Sequence, residues 1–452
     1  MFSSFEYGYI YLKARKPSKS TRLKMIDGEP DRISYLLGDV IDKILSHLPI
    51  REAVRTSVLS NKWRYKWATI PNLVFDKQCV SATSKCSELF LDMEGKLMEI
   101  IDQVLLLYSG PINKFQISRC GVNLISETAL DRWIFHLTKR SIKELVLQIS
   151  ERKLYKIPWC LFSCQSLHHL TLYYCLLKPP STIEGLKNLK SLDLDHVSMS
   201  QYAFENLISS CPLLENLTLT ELDGFTQINI HAPNLKVLDI CGKFEDISFD
   251  NTFQLDYVFV DLSLYLNSES NQSRLHGSPS NLLNFFAHLH HIHGLVINGY
   301  FLKYLAAGAV PVKLPTPCIN LTYLWFSINF YDFKEISTAL CVFRSSPNLK
   351  ELNIFAKHEK KTIVLAPAFF CWEDIFLEPS MLTRVRHVGI EGISGIKSEL
   401  DFMRFLLLHS PVLEKMRVKP NFNVGSKLMS ELLRFKRASA QAEVVYLGEV
   451  YW

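Results

Sequence analysis

The sequence lacks any apolar stretch that approaches the roughly 20 residues of a membrane-spanning helix. It also lacks a glycine-rich phosphate loop, a dinucleotide-binding fingerprint and the G-x-S-x-G and H-E-x-x-H motifs of hydrolases. Adjacent carboxylates such as Glu373-Asp374 would not face each other on a regular element. We therefore predict neither a membrane protein nor an enzyme, with no catalytic residues and no cofactor.

The sequence also lacks a large net charge and closely spaced pairs of cysteines. The formal net charge is only +5 over 452 residues, whereas nucleic-acid-binding proteins usually concentrate Lys and Arg far more strongly. The 11 cysteines have no short paired spacings, and the first residues lack the features of a signal peptide. We expect a globular protein with reduced thiols in the cytoplasm or nucleus, bound neither to nucleic acid nor to a membrane.

The densest group of potential metal ligands is a run of histidines, His288, His290, His291 and His293. Alternate histidines on a strand would place two imidazoles on one face, as a zinc site requires. No nearby cysteine or acidic pair completes a ligand set, and Ile292 belongs to a repeat described below. We interpret the run as the lead-in to a strand and predict no metal site.

Residues 31–67 have the spacing of short amphipathic helices. Apolar residues one, three and four apart predict one face of a first helix, formed by Val40, Ile41, Ile44, Leu45 and Leu48. Asp39 is predicted to cap the first turn of this helix, and Pro49 to end it.

Two more helices are predicted in the same stretch. The second runs from Arg51 to about Leu59, and its inward residues are Ala53, Val54 and Val58. The third is capped by Ser60 and carries Trp63 and Trp67 at i and i+4. A three-helix bundle of about forty residues buries only a small core. Its surplus apolar surface predicts either packing on the chain's own C-terminal domain or docking of a partner protein.

The order of these residues resembles the F-box. The matching pieces are Leu36-Leu37, Ile44-Leu45-Ser46, Leu48-Pro49, Val58-Leu59-Ser60 and Trp63-Arg64, followed by Trp67. Gly38 departs from the family pattern, which has proline after the leucines. The resemblance implies docking on a Skp-family adaptor, and through it a cullin, in an SCF-type ubiquitin ligase. The implied adaptor-binding set, with core and contact roles undivided, is Leu36, Leu37, Ile44, Leu45, Leu48, Pro49, Val54, Leu59 and Trp63.

The rest of the sequence repeats the phrase apolar-x-x-apolar-x-apolar. Copies begin at Ile142, Leu167, Leu189, Leu214, Leu235, Leu255, Ile292, Leu321, Leu349, Val385 and Leu413, with a degenerate copy at Ile112. Most copies lie about 20 to 29 residues apart, which is typical of leucine-rich repeats. Each repeat contributes one strand to a core shared with its neighbours. We predict an α/β leucine-rich-repeat solenoid, a curved parallel sheet with helical returns, preceded by a small all-α three-helix bundle.

These patterns predict the domain organisation. Residues 1–26 form a disordered basic tail, 27–72 the F-box, 73–110 a helical connector and 111–370 the leucine-rich repeats. Residues 371–448 resemble the FBD domain and are predicted to add two strand–helix units, with a final strand that caps the sheet. In this order, the parts resemble the plant F-box/FBD/LRR-repeat family.

The resemblance implies that the repeats hold a target protein for ubiquitination. Outward positions between the repeat leucines form the predicted target-binding set: Thr171, Asp193, Thr218, Asp239, Trp325, Asn353 and Arg417. Trp325 is the best single candidate because exposed tryptophans often anchor interfaces, and packing under an insertion is its alternative.

Two alternatives to a ligase subunit are open at this point. One is a leucine-rich-repeat interaction scaffold whose degenerate F-box no longer binds an adaptor, which Gly38 favours. The other is an enzyme, which no catalytic constellation supports.

Overall fold

The computed structural model describes residues 33, 35–76, 79, 90–118, 126–149, 153–263, 280–358, 372–377, 379, 381–421 and 426–447. The predicted tail, residues 1–26, lies outside them. The chain divides into two compact units, Met1–Tyr174 and Cys175–Trp452. Within the described ranges, no helix has the length and apolarity needed to cross a bilayer.

The N-terminal unit combines a helical bundle with parallel strands. Its helices are α1 (Gly38–Ser46), α2 (Ile50–Arg55), α3 (Phe90–Leu107), α4 (Glu127–Lys139) and α5 (Trp159–Phe162), with 3-10 helices at Thr56–Val58 and Lys66–Thr69. Its strands are β1 (Asn72–Phe75), β2 (Lys114–Ile117), β3 (Glu144–Gln148), β4 (Tyr155–Lys156) and β5 (His169–Tyr173). Strands β1, β2, β3 and β5 pair in parallel in that order, so the repeats of this unit begin at β1.

The bundle differs from its prediction in local details. Helix α1 begins at Gly38 with Leu37 as its N-cap, so Asp39 lies in the first turn and does not cap it. The predicted third α-helix is a series of turns over residues 61–65 followed by a 3-10 helix. Val58, predicted to face inward, is 73% exposed. A 3-10 helix has three residues per turn, so Val58 no longer lies above Val54.

The predicted connector, residues 73–110, contains helix α3 but also most of strand β1. Ile70, Leu73 and Phe75 fit the repeat phrase, and all three side chains are buried. This copy is hard to recognise in the sequence because its first position belongs to the bundle and the next copy lies far along the chain. In the structure the repeats therefore begin at β1, and the first residue of this repeat lies in the region predicted to be the F-box.

The C-terminal unit contains the remaining repeats. Its strands are β6 (Cys175–Leu176), β7 (Ser191–Asp195), β8 (Asn216–Thr220), β9 (Gln227–His231), β10 (Val237–Gly242), β11 (Asp246–Asp250), β12 (Tyr257–Leu262), β13 (Gly294–Gly299), β14 (Tyr323–Asn329), β15 (Glu351–Lys357), β16 (His387–Ile393), β17 (Lys415–Pro420) and β18 (Glu443–Tyr446). Its helices are α6 (Gln201–Ser209), α7 (Asn281–Ala287), α8 (Phe301–Leu305), α9 (Phe333–Arg344), α10 (Trp372–Leu377), α11 (Lys397–His409) and α12 (Ser426–Arg434). Strands β9 and β11 form a small parallel pair.

The strand register confirms the leucine-rich-repeat solenoid. Strands β7, β8, β10 and β12 to β18 pair in parallel, and the second apolar position of each repeat lies beside that of the next. These inward residues are Leu192, Leu217, Leu238, Val258, Leu295, Leu324, Leu352, Val388 and Met416, each no more than 2% exposed. One repeat cannot bury such residues alone, and stacking removes them from water.

The segment resembling the FBD domain continues the same sheet. Strand β16 pairs with β15, and β16–α11, β17–α12 and β18 supply the predicted strand–helix units and last strand. On helix α11, Phe402 packs against Phe330 at a centroid distance of 5.2 Å and against Phe343 of α9 at 6.1 Å. The segment therefore shares its core with the preceding repeats.

Candidate functional sites on the helical bundle and the sheet

Helix α1 presents one apolar stripe to the core and another to solvent. Ile41 and Leu45 are 0% exposed, whereas Val40 and Ile44 are 40% and 39% exposed. Leu37, at the N-cap, is 72% exposed. Because residues three or four apart share a helix face, the outward residues continue one stripe along α1.

The turn after the second helix lies beside the beginning of α1. Lys62 donates a hydrogen bond to the carbonyl oxygen of Leu36, and the Trp63 indole N–H donates to that of Ile33 at 3.4 Å. Val58 and Leu59, just before this turn, are 73% and 48% exposed. The structure therefore leaves exposed apolar side chains on both segments.

Burial separates the roles within the predicted adaptor-binding set. Leu37, Ile44, Pro49 and Leu59 are exposed, Leu36, Leu48 and Val54 are half-buried, and Leu45 and Trp63 are buried. Leu45 and Trp63 therefore belong to the core of the bundle. Val40 and Val58 are exposed but absent from the predicted set. We define the bundle surface as Leu37, Val40, Ile44, Pro49, Val58 and Leu59.

The bundle core fixes this surface from behind. Trp63 and Trp67 are each 3% exposed, and Lys66 forms an ion pair with Asp42 of α1 at 2.9 Å. The i and i+4 spacing of the two tryptophans predicted a shared helix face. Both side chains are buried even though the backbone between them forms turns and a 3-10 helix.

Gly38 occupies the first position of α1. Leu37 before it is extended, with φ −63° and ψ 149°, a conformation that a residue before proline also prefers. A Cβ atom at Gly38 would lie 3.5 Å from the Lys66 Nζ atom, which is ordinary van der Waals contact. The backbone here is thus compatible with the proline typical of the family pattern.

Successive strands of the C-terminal unit place one outward residue each in a line across the sheet. We call this line the outward row; it consists of Asp193, Thr218, Asp239, Phe259, Val296, Trp325, Asn353, Gly389, Arg417 and Val445. Every predicted target-binding residue of this unit lies in the row. Thr171 lies in the N-terminal unit, where its neighbour on β3 is Val146.

The predicted target-binding set includes Trp325 but not the two residues that precede it in the outward row. Phe259 and Val296 are half-buried and separate Asp239 from Trp325, which is also half-buried. Each stands between the second and third apolar positions of its repeat, the same place that Trp325 holds, so the repeat phrase contained the signal. Gly389 also has a local role: a Cβ atom there would lie 2.4 Å from the Asn353 Oδ1 atom.

Carboxylates collect at the β7 end of the outward row. Burial, together with the charges of Asp195 and Asp239, raises the pKa of Asp193 to about 6. Burial and the charge of Asp261 raise the pKa of Asp239 above its ordinary value. Burial is the larger cause in both cases and repulsion between the carboxylates adds to it, so a cation placed among them would stabilise their ionised forms.

Replacing Asp193 by Asn is expected to stabilise the C-terminal unit near neutral pH. Because folding raises the pKa of Asp193 to about 6, the stability that this carboxyl contributes is full below about pH 4 and is lost as pH rises through about 6. Thermal melts should show a higher Tm for Asp193→Asn at about pH 7.5 and no gain at about pH 4. An equal gain at both pH values would contradict this account.

The predicted absence of a metal site concerns the histidine run. The rings of His290 and His291 lie 5.5 Å apart edge to face, and His293 shares a hydrogen bond with Asp256. In the parts of the chain that the structure describes, no three His, Cys, Asp or Glu side chains are arranged to hold a metal ion.

Comparisons with known proteins match both regions. The F-box domain family matches residues 36–75, and the family described as "FBD-associated F-box protein At5g56370, LRR repeats" matches residues 130–354. F-box/FBD/LRR-repeat protein At1g13570 of Arabidopsis thaliana is 38% identical over 425 residues, which cover 93% of this chain and 99% of that protein. FBD-associated F-box protein At5g22730 of the same plant is 26% identical, with coverages of 97% and 99%. A crystal structure of a Bacteroides fragilis protein aligns at 13% identity and a TM-score of 0.26, too low to support an argument.

The bundle and the repeats therefore define an F-box protein with leucine-rich repeats. The chain belongs to the F-box/FBD/LRR-repeat family, as its similarity over nearly the whole length of the Arabidopsis relative shows. An F-box followed by leucine-rich repeats supports a substrate-adaptor role, and none of the matched descriptions names a catalytic domain.

Proposed function

We propose that this chain is the substrate-recognition subunit of an SCF-type ubiquitin ligase. Its bundle surface docks a Skp-family adaptor, which connects it to a cullin, and its outward row binds a target protein for ubiquitination. The observation that carries the proposal is the bundle surface, whose apolar side chains remain in water although a buried core stands directly behind them.

An adaptor of complementary shape would remove this apolar surface from water. Leu37, Val58 and Leu59 are 72%, 73% and 48% exposed, so a complex can still bury a large part of each side chain. A few residues in the well-packed, desolvated centre of an interface contribute most of its binding free energy. The 3-10 helix at Lys66–Thr69 and its ion pair to α1 support the bundle surface from behind.

Co-purification of the full chain with a Skp-family adaptor and a cullin tests the proposal. We expect a stoichiometric ternary complex that survives gel filtration. A folded chain that elutes without the adaptor would reject the ligase role and support the alternative, an interaction scaffold with a degenerate F-box.

Replacing Gly38 by Pro tests whether this residue marks a degenerate F-box. We expect a stabilisation of roughly 0.5 kcal/mol, because proline fits the first helical position and restricts the unfolded chain. Affinity for the adaptor should stay within about twofold of the wild type in a calorimetric titration, since the backbone already has a compatible conformation. A large gain in affinity would show that glycine weakens the docking surface.

We also propose that the protein acts in the cytoplasm or nucleus. Among the described residues no cysteine forms a disulfide bond, and all but Cys241 are buried. Reduced, buried thiols are typical of these compartments.

A further inference from the structure

The outward row changes character from one end to the other. Carboxylates lie on β7 and β10, aromatic and aliphatic side chains on β12 to β14, and a guanidinium on β17. Such an order favours specific recognition, because a partner must present complementary groups in the same order across the sheet.

The acidic end is not neutralised within the described part of the chain. There, neither Asp193 nor Asp239 has a hydrogen-bond or ion-pair partner, and both are half-buried. Two further carboxylates lie one outward position further along the strands. Asp195 on β7 hydrogen-bonds with His196, and Asp261 on β12 accepts a hydrogen bond from Asn298 at 2.7 Å. A basic side chain of a partner would meet several oxygens at once.

The centre of the row is apolar and partly exposed. Phe259, Val296 and Trp325 are consecutive members of the row, and each is half-buried. Tyr257 beside Phe259 is 50% exposed, and Phe355 on β15 is 42% exposed. Aromatic side chains of this kind contribute large contact area at low cost in conformational entropy.

The basic end consists of one exposed arginine between neutralised lysines. Lys415 pairs with Glu443 at 3.4 Å, and Lys419 pairs with Glu391 at 3.7 Å. Arg417 between them forms no ion pair within the described residues and is exposed. It is therefore the basic group of this strand that a partner carboxylate would meet.

We infer that the outward row recognises an extended segment of the target protein with basic residues at one end, apolar residues in the middle and an acidic residue at the other end. This inference rests on the proposed function, since it specifies the target that the ligase subunit would hold. Six strand pairings separate Asp239 from Arg417. Neighbouring strands lie about 4.8 Å apart, so the two residues are separated by about 29 Å, the length of roughly nine extended residues. A segment that also reaches Asp193, two pairings further, needs about twelve residues.

Selection of peptides from a random library of about 16-residue segments on the purified full chain tests the inference. We expect enriched peptides with Lys or Arg about nine to twelve residues from Asp or Glu and apolar residues between them. The double variant Asp193→Asn/Asp239→Asn should lower their affinity about tenfold or more, and added salt should weaken wild-type binding. Asp250→Asn is the matched control, because Asp250 lies on β11 of the separate pair and contacts His231.

A charge exchange at the other end separates direct contact from a structural effect. Arg417→Glu should lower peptide affinity about tenfold, and a peptide with its acidic residue replaced by Lys should bind this variant better than the original peptide does. The inference is overturned if no peptide is enriched, if enriched peptides lack this order of charges, or if the substitutions leave affinity unchanged. Adaptor co-purification of the same variants is the separate test of the proposed function, and each result can fail alone.

Discussion

The double variant Leu37→Glu/Leu59→Glu is expected to lose adaptor binding while its fold stays intact. Both side chains are well exposed in the unbound chain, at 72% and 48%, so glutamate remains hydrated there and costs little. In the complex the same carboxylates would be buried without partners, at a cost of several kcal/mol. We expect affinity to fall on the order of 100-fold or more in a calorimetric titration, since about 1.4 kcal/mol corresponds to tenfold.

Leu106→Glu is the matched control for this double variant. Leu106 lies on α3 in the same unit and is 84% exposed, but it is outside the bundle surface. Its variant should bind the adaptor like the wild type. If the control weakens binding as much as the double variant does, general charge accounts for the effect. If the double variant binds like the wild type, the adaptor docks elsewhere.

Phe402→Ala is expected to destabilise the C-terminal unit by about 3 to 5 kcal/mol, the usual cost of removing a fully buried phenylalanine. Phe402 is 0% exposed and its ring packs within 6.1 Å of Phe330, Phe343, Phe405 and Trp372. Because these rings come from several repeats, the cavity would loosen the segment that resembles the FBD domain together with the repeats before it. Urea unfolding followed by circular dichroism measures the change.

Phe355→Ala removes the same side chain from a site that is 42% exposed, and we expect a loss of less than about 1.5 kcal/mol. The comparison shows whether burial in the shared aromatic core, rather than loss of a phenyl ring, determines the cost. Equal losses for the two variants would contradict the packing of Phe402 in this shared core.

Periodicity predicted the repeats well because burial in a parallel sheet depends on alternation alone. Leu192, Leu217 and Leu238 occupy the register positions that their place in the repeat phrase implies. Burial within the bundle is harder to predict, because the sequence pattern of an apolar residue is the same whether it faces its own core or a partner protein. Val58 is an example. The α-helical period predicts that it faces inward, whereas the 3-10 geometry after α2 leaves it exposed.

The membership of the outward row was predicted in part for a related reason. The repeat phrase marks which positions face outward, and this was sufficient to select Asp193, Asp239 and Trp325. It does not show which outward residues become neighbours, because that depends on the order in which strands pair. Phe259 in the weak copy holds the same place in the phrase as Trp325, but only the pairing order shows that it lies directly beside Asp239.

Hydrogen–deuterium exchange of the full chain, with and without a saturating Skp-family adaptor, locates the docking surface on the chain. We expect slower exchange over residues 35–62, which contain the bundle surface, and unchanged exchange in β7 to β18 of the C-terminal unit. Adaptor binding without protection of residues 35–62, or with protection only in the repeats, would contradict docking at the bundle surface.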